Sequence, residues 1–386
     1  MAVKRVSGGW DVDFEHLHYK IRFQHDLLDS DARRVLDSDR PPARRLAVID
    51  AEVWRLYHTR ILRWLDGSGV PTRVLPLVAS EATKTGAAVD LILNAAHEAG
   101  LGRLDELIAI GSGITLDEVG VAAGELRKGT PYVAIPTTLV GLIDAGVGAK
   151  RAVNHAGRKN SRGLYHPARL VLLDRTWLAT TDERSISAGA AESLKVGEMV
   201  DPLLIDLWER HGEQLLKTRF EHACGHDVLD RSIDGILGHL GYDLLEKISL
   251  CRWPDHGHTL SPVLEMLTDG ELRHGEAVNI CSLVAAVLAA SRGYVDADYP
   301  VRMVALARKL DLPTYHELLD DPAVLTRAVE SAVATRGGHQ HWPIPTRPGE
   351  GEGPAGTHAF LEDVDVPGGE LLAATRRLRA LTAAAA

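Results

Sequence analysis

Three residues could together hold a reactive metal: Glu192, His258 and His274. Glu192 lies in SAGAAESLKVGEMV with Lys195 three residues on, a spacing that puts both on one face of a helix. His258 stands in DHGHTLSP and His274 in ELRHGEAV, each followed by apolar helical sequence. Two imidazoles and one carboxylate leave coordination positions open, as catalytic rather than structural Zn²⁺ sites do. There is no HExxH, so the site is not of the zincin type. The chain has 18 histidines. Hydrogen-bonded core histidines therefore remain an open alternative for His258 and His274.

Three further segments are candidates for chemistry. In IAIGSGITLDEVG a buried strand runs into Gly111-Ser112-Gly113, where backbone N–H groups can approach a pyrophosphate. A plain tight strand–helix turn explains it equally well. Glu81 and Lys84, in SEATKT, are a second polar pair for a nucleotide or simply solvated helix residues. The segment 135–160 places Asp144, Lys150, Asn154, Lys159 and Asn160 among glycines and small residues. That suits a polyhydroxylated, anionic ligand held by charge-assisted hydrogen bonds. Thr137-Thr138 and the apolar Leu139–Ile143 argue against a merely solvated loop.

Positioning these groups falls to a small set of elements. Apolar runs within 45–53 (LAVID, ending in Asp50) and at 74–78, 107–110, 132–135 and 171–174 read as strands; those at 107–110, 132–135 and 171–174 run into Gly111, Pro136 and Asp174. The alternation at 17–23 reads as a half-buried strand, and 83–99 as a helix closed by Gly100. Strands and helices alternating in this way imply an α/β layer with a largely parallel sheet. Past residue 177 helical patterns dominate, at 183–200, 227–250, 275–292 and 301–310. The expected division is therefore 1–176, α/β, and 177–386, mostly α-helical. Pro343–Thr357 reads as a mobile loop.

Composition narrows the field. A length of 386 residues suits two domains. A net charge of −10 argues against nucleic acid as a partner, because that binding needs a basic face. Cys224, Cys251 and Cys281 form no CxxC pair, which fits a reducing cytoplasm. The first residues lack a signal-peptide core, and the apolar run near Leu283–Ala290 is too short for a bilayer, so no membrane partner is expected.

In order along the chain, GSGITLDEVG, KGTPYVAIPTTLVGLIDAGVGAK, GRKN, AGAAESLK, RWPDHGHTLSP and LRHGEAV resemble the sugar phosphate cyclases, the group containing 3-dehydroquinate synthase. The resemblance runs from about Asp50 to about Val364. It implies an NAD-binding α/β domain, a mostly helical metal-binding domain, a homodimer, and one divalent ion, Zn²⁺ or Co²⁺. It assigns the metal to Glu192, His258 and His274. It assigns NAD to Asp50, Glu81, Lys84, Gly111, Ser112, Gly113, Asp117, Thr137 and Thr138. Catalytic roles fall to Asp144, Lys150, Lys195 and Asp255, and substrate contacts to Lys128, Lys159, Asn160, Arg252 and Pro262. The chemistry implied is transient oxidation of a ring hydroxyl, β-elimination of phosphate, re-reduction and an intramolecular aldol closure.

Within the group, dehydroquinate synthases carry LN-x-GH-xx-GH. Here Asp255 replaces the Asn and Pro262 the final His. With GLIDAGVGAK, this is similar to the 2-epi-5-epi-valiolone synthases, which cyclise sedoheptulose 7-phosphate. A 3-dehydroquinate synthase and a cyclase-like binding protein without catalysis are the competing readings. Ser112, Lys128, Arg151-Ala152, Asp243 and His256 depart from the family pattern. They bear on product identity, and Ser112 also on NAD binding should its position require φ > 0.

Overall fold

A computed structural model describes residues 2–6, 9–13, 18–246, 248–353, 355–361 and 368–384, by backbone alone in the first two spans and at Tyr242. The strands of the central sheet are β3 (Lys20–Phe23), β4 (Arg45–Asp50), β5 (Thr72–Leu77), β6 (Glu106–Gly111), β7 (Tyr132–Pro136) and β10 (Leu170–Leu173). They lie in the order β3-β10-β7-β6-β4-β5, every neighbouring pair parallel. Three two-stranded ladders stand apart: β1 (Ala2–Val6) with β2 (Gly9–Asp13), β8 (Lys150–His155) with β9 (Arg158–Tyr165), and β11 (Trp342–Pro345) with β12 (His358–Leu361).

Both faces of the sheet are covered, which is why its strands are apolar runs rather than alternating ones. In β4, Leu46 and Val48 point into one core and Ala47 and Ile49 into the other. The second core is closed by α1 (Ala32–Val35) and α2 (Ala51–Gly67), and the first by α3 (Gly86–Glu98) and α4 (Gly113–Glu125). The chain passes from β4 to β5 on one side and then to β6 on the other. Asp50 and Gly111 thus flank the point where strand order reverses, at the carboxyl ends where such sheets bind ligands.

From residue 183 onward helices carry the fold: α5 (Glu183–Met199), α6 (Pro202–Lys217), α7 (Cys224–Asp243), α8 (Ser261–Leu267), α9 (His274–Ser291), α10 (Tyr299–Lys309), α11 (Pro322–Thr335) and α12 (Gly368–Ala384). Asp182 caps α5 by accepting from Ser185 N, and Asp201 with Pro202 starts α6. Helix α9 has the length and hydropathy of a membrane span, but 83% of that window is buried inside the fold, against α5, α8, α10 and α12. Its crossing with α5 is close: a methyl on Gly275 would overlap the carbonyl oxygen of Ala188. This contact places the start of α9 one helical turn from Glu192 on α5.

Several expectations need correction. The strand expected at 17–23 is β3, an edge strand whose Phe23 is exposed, and Leu17 lies outside the described residues. The helix expected at 227–250 stops at Asp243, whose carboxylate accepts from Ile248 N and Ser249 N and turns the chain. The segment 343–357 is not a free loop: Pro343–Pro345 pair with His358–Phe360, and Thr346 and Thr357 are buried in backbone hydrogen bonds. Much of 135–160, legible only as a glycine-rich ligand segment, is a π-helical turn, Gly141–Ala145, followed by the β8–β9 hairpin.

Candidate functional site

Glu192 points from α5 into the space between His258, in the turn before α8, and His274, the first residue of α9. One ligand atom from each of the three lies within 4.8 Å of the others. The two imidazole rings are 5.3 Å apart. Each histidine has one nitrogen committed elsewhere: His258 Nδ1 faces His256 O at 3.0 Å, and His274 Nδ1 faces Glu265 Oε1 at 3.0 Å. Outer partners of this kind fix the tautomer and aim the remaining nitrogen at a metal. Glu192 is 1% exposed, and neither of its oxygens has hydrogen-bond geometry, although Lys195 Nζ is 2.5 Å and His274 Nε2 3.2 Å away. A buried carboxylate left this way, beside two aimed imidazoles, fits a divalent cation by its donor set.

Charge is arranged around this trio. Burial and then Lys195 push the His258 pKa down to about 3. Burial lowers that of His274 too, but Glu265 and Glu192 outweigh it and raise it to about 9. Glu265, despite burial, is held at about 2 by His274 and Lys159. Burial raises Asp144, against the charges of Lys195 and Lys150. Burial opposes ionisation of Lys195, yet Glu192 and Asp144 lift its pKa above the ordinary value. Asp255, which burial would raise, is lowered by Arg336 and Arg252, at 3.5 and 3.1 Å. Lys150 Nζ sits 3.1 Å from Glu246, which Arg252 and Tyr165 also contact. Lys159 pairs with Glu265, and Pro262 is in the first turn of α8.

A second group gathers at the carboxyl ends of β4, β6 and β7. Ser112 stands at the start of α4 without capping it, so the first N–H groups of that helix have no side-chain acceptor there. Its φ is −70°, so the serine is unstrained and the concern over a left-handed position falls away. A methyl on Gly111 would come 2.5 Å from Thr115 Oγ1 and 2.9 Å from Asp50 Cβ, and one on Gly113 3.0 Å from Ala145 Cβ. Asp50 caps α2 through Glu52 N. Lys84 Nζ lies 2.7 Å from both Asp117 and Asn160, while Glu81 accepts from Asn154. Thr137 N bonds Gly111 O, and Thr138 Oγ1 accepts from Gly141 N. This open helix start at the strand-order reversal fits a dinucleotide phosphate.

The structure does not assemble every expected residue here. Lys128 is at the far end of α4, which at 1.5 Å per residue is ~20 Å from its Ser112 end, and so stands away from the site within one chain. Asn160 turns to Lys84 in this second group, while the adjacent Lys159 turns to Glu265. Three family departures have structural roles. Arg151 is buried and donates to Ala145 O at 2.5 Å and Gly148 O at 2.8 Å, clamping the turn that bears Asp144. His256 bonds Pro343 O in the core and lies 3.6 Å from Glu198. Asp243 ends α7, as described above.

The residues that sequence reasoning missed are Glu265, Glu246, Arg336 and Glu118. Glu265 and Glu118 each interrupt an apolar helical run, VLEML and DEVGVAA, and that interruption was the available signal. Glu118 is fully buried with both oxygens unpartnered, and burial pushes its pKa up to about 8.

Two family models match the chain in succession: 3-dehydroquinate synthase N-terminal over residues 74–188, and 3-dehydroquinate synthase C-terminal over 189–331. A 2-epi-5-epi-valiolone synthase of Actinoplanes sp. is 40% identical over 347 residues, covering 87% of each chain. One from Actinomyces sp. is 37% identical and covers 97% of this chain and 99% of its own length. ValA, the 2-epi-5-epi-valiolone synthase of Streptomyces hygroscopicus subsp. jinggangensis 5008, solved with NAD⁺ and Zn²⁺ bound, superposes with a TM-score of 0.88. That match has 37% identity and covers 96% of this chain and 99% of ValA. Sheet order, helical half and relatives agree, and the chain belongs to the sugar phosphate cyclases of the 3-dehydroquinate synthase family.

Proposed function

We propose that this protein cyclises sedoheptulose 7-phosphate to a C7 cyclitol, 2-epi-5-epi-valiolone or a stereoisomer, with release of phosphate. The observation that supports this most is the meeting of Glu192, His258 and His274 beside Lys195 and Asp144. Relatives named for this activity at 37–40% identity support the choice of substrate. The reading takes 1–176 as the nucleotide half, 177–386 as the metal and substrate half, and a homodimer as the assembly, which sedimentation equilibrium checks.

When bound, a divalent ion (Zn²⁺ or Co²⁺) held by Glu192, His258 and His274 supplies a Lewis acid, and NAD on the Gly111–Gly113 turn supplies reversible oxidation of a hydroxyl. The chain's own residues do the rest. Lys195 remains a cation against Glu192 and Asp144 and fixes the direction from which a substrate oxygen approaches. Asp144, its carboxyl raised by burial, is placed to take and return a hydroxyl proton. Asp255, locked by Arg252 and Arg336, accepts from sugar hydroxyls. Lys150 is half exposed and meets the phosphate, with Glu246 as its resting counter-ion.

Phosphate release from sedoheptulose 7-phosphate, followed with and without NAD⁺ and Zn²⁺, tests the proposal. Turnover needing both supports it. Absence of turnover in the metal- and NAD-loaded protein favours the non-catalytic reading.

A further inference from the structure

A second cluster of metal-ligating type lies outside the site just described. His211, on α6, stacks its ring on that of His222, with centroids 5.5 Å apart and planes at 25°. His222 Nδ1 is 3.0 Å from Cys224 Sγ, and Cys224 begins α7. One ligand atom from each of these three residues lies within 4.8 Å of the others. Among the described residues this group and the Glu192 trio are the two sets that meet that condition.

We infer that His211, His222 and Cys224 form a second metal site, for a borderline-soft divalent ion of the zinc type. Two imidazoles and a thiolate suit Zn²⁺ or Co²⁺ and exclude Mg²⁺ and Ca²⁺, which take oxygen ligands. Water completes a tetrahedral set. The turn that presents the ligands is held without a metal: Arg175 donates to the carbonyls of Phe220 and His222, Gly225 N bonds His222 O, and His222 N bonds Thr218 Oγ1. Binding replaces the thiol proton with the ion, and the proton passes to solvent. The bound ion staples the start of α7 to α6. Helix α7 packs in turn against α5 and against the Gly141–Ala145 turn that bears Asp144. The site owes nothing to the cyclase reading and stands or falls separately from it.

Cobalt spectroscopy tests it on the full chain. Protein stripped by a chelator is titrated with Co²⁺, and the near-ultraviolet thiolate-to-cobalt charge-transfer band is recorded. The Glu192, His258 and His274 site contains no sulfur, so the band reports a thiolate ligand, and Cys251→Ser separates the second site from the Cys251–His341 pair. It is expected in the wild type and in His274→Ala, to vanish in Cys224→Ser, and to survive in Cys251→Ser. His211→Gln, at a partly buried position of α6, weakens the Co²⁺ affinity read from this band by roughly tenfold or more. It carries the test should Cys224→Ser not fold, as circular dichroism shows. Absence of the band in the wild type, its persistence in Cys224→Ser, or an unchanged affinity in His211→Gln overturns the inference.

Discussion

Three single residues outside the candidate metal trio offer separable tests. Glu265 orients His274, so Glu265→Gln weakens metal affinity by roughly 10–100-fold with the fold intact; zinc dialysis equilibria measure this. Gly111→Ala drives a methyl against Thr115 and Asp50, costing roughly 1–3 kcal/mol. The rise in melting temperature on adding NAD⁺ is then lost or much reduced. Glu118 gives a pH signature. Its folded pKa of about 8 lies above the ordinary 4.5, so between these values the folded chain holds a proton that the unfolded chain has released. Stability from this group therefore falls as pH rises through that window and levels off above it. Glu118→Gln removes the trend: in urea unfolding it matches the wild type near pH 5 and exceeds it by roughly 1–3 kcal/mol near pH 9. At this scale the sequence offered Glu192, His258 and His274 as candidate ligands through the family-like segments AGAAESLK, DHGHTLSP and LRHGEAV, and the fold brings the three together. The groups around them were hidden, since Glu265 acts on His274 and Arg336 on Asp255 through contacts that spacing does not encode.

The elements of the parallel sheet were readable because burial on both faces leaves continuous apolar runs, as in LAVID and LIAI, stopped by Asp, Gly or Pro. The β8–β9 hairpin was not, because its strands carry many polar groups, such as Lys150, Lys159 and Asn160, that meet charged or polar partners rather than a core. Its pairing shifts register between Val153 and His155, which further blurs any alternation. Helix crossing is equally absent from a one-dimensional pattern, and it is what sets the candidate metal geometry. Gly275→Ala pushes α9 off the Ala188 carbonyl on α5 and separates His274 from Glu192. The variant loses roughly 1–3 kcal/mol of stability and at least about tenfold in zinc affinity, read by denaturant unfolding and metal titration.

For the whole molecule the claim is substrate choice. The chain carries −10 overall, so an anionic substrate is drawn in only by local cations, and most of these already face carboxylates: Lys159 faces Glu265, Arg252 faces Glu246 and Asp255, and Arg336 faces Asp255. Asp255 is not an isolated anion that repels a carboxylate; it occupies the two arginines a carboxylate would need. Pro262 adds no donor where a histidine would serve. A ketose phosphate without a carboxylate suits such a site, and two unmet polar contacts at roughly 1–3 kcal/mol each separate the substrates by about a hundredfold or more. The decisive measurement is kcat/KM for phosphate release from sedoheptulose 7-phosphate against the carboxylate-bearing precursor of 3-dehydroquinate, on the NAD- and zinc-loaded protein. A preference for sedoheptulose 7-phosphate of about a hundredfold or more is predicted; equal rates, or a preference for the carboxylate substrate, would contradict the account.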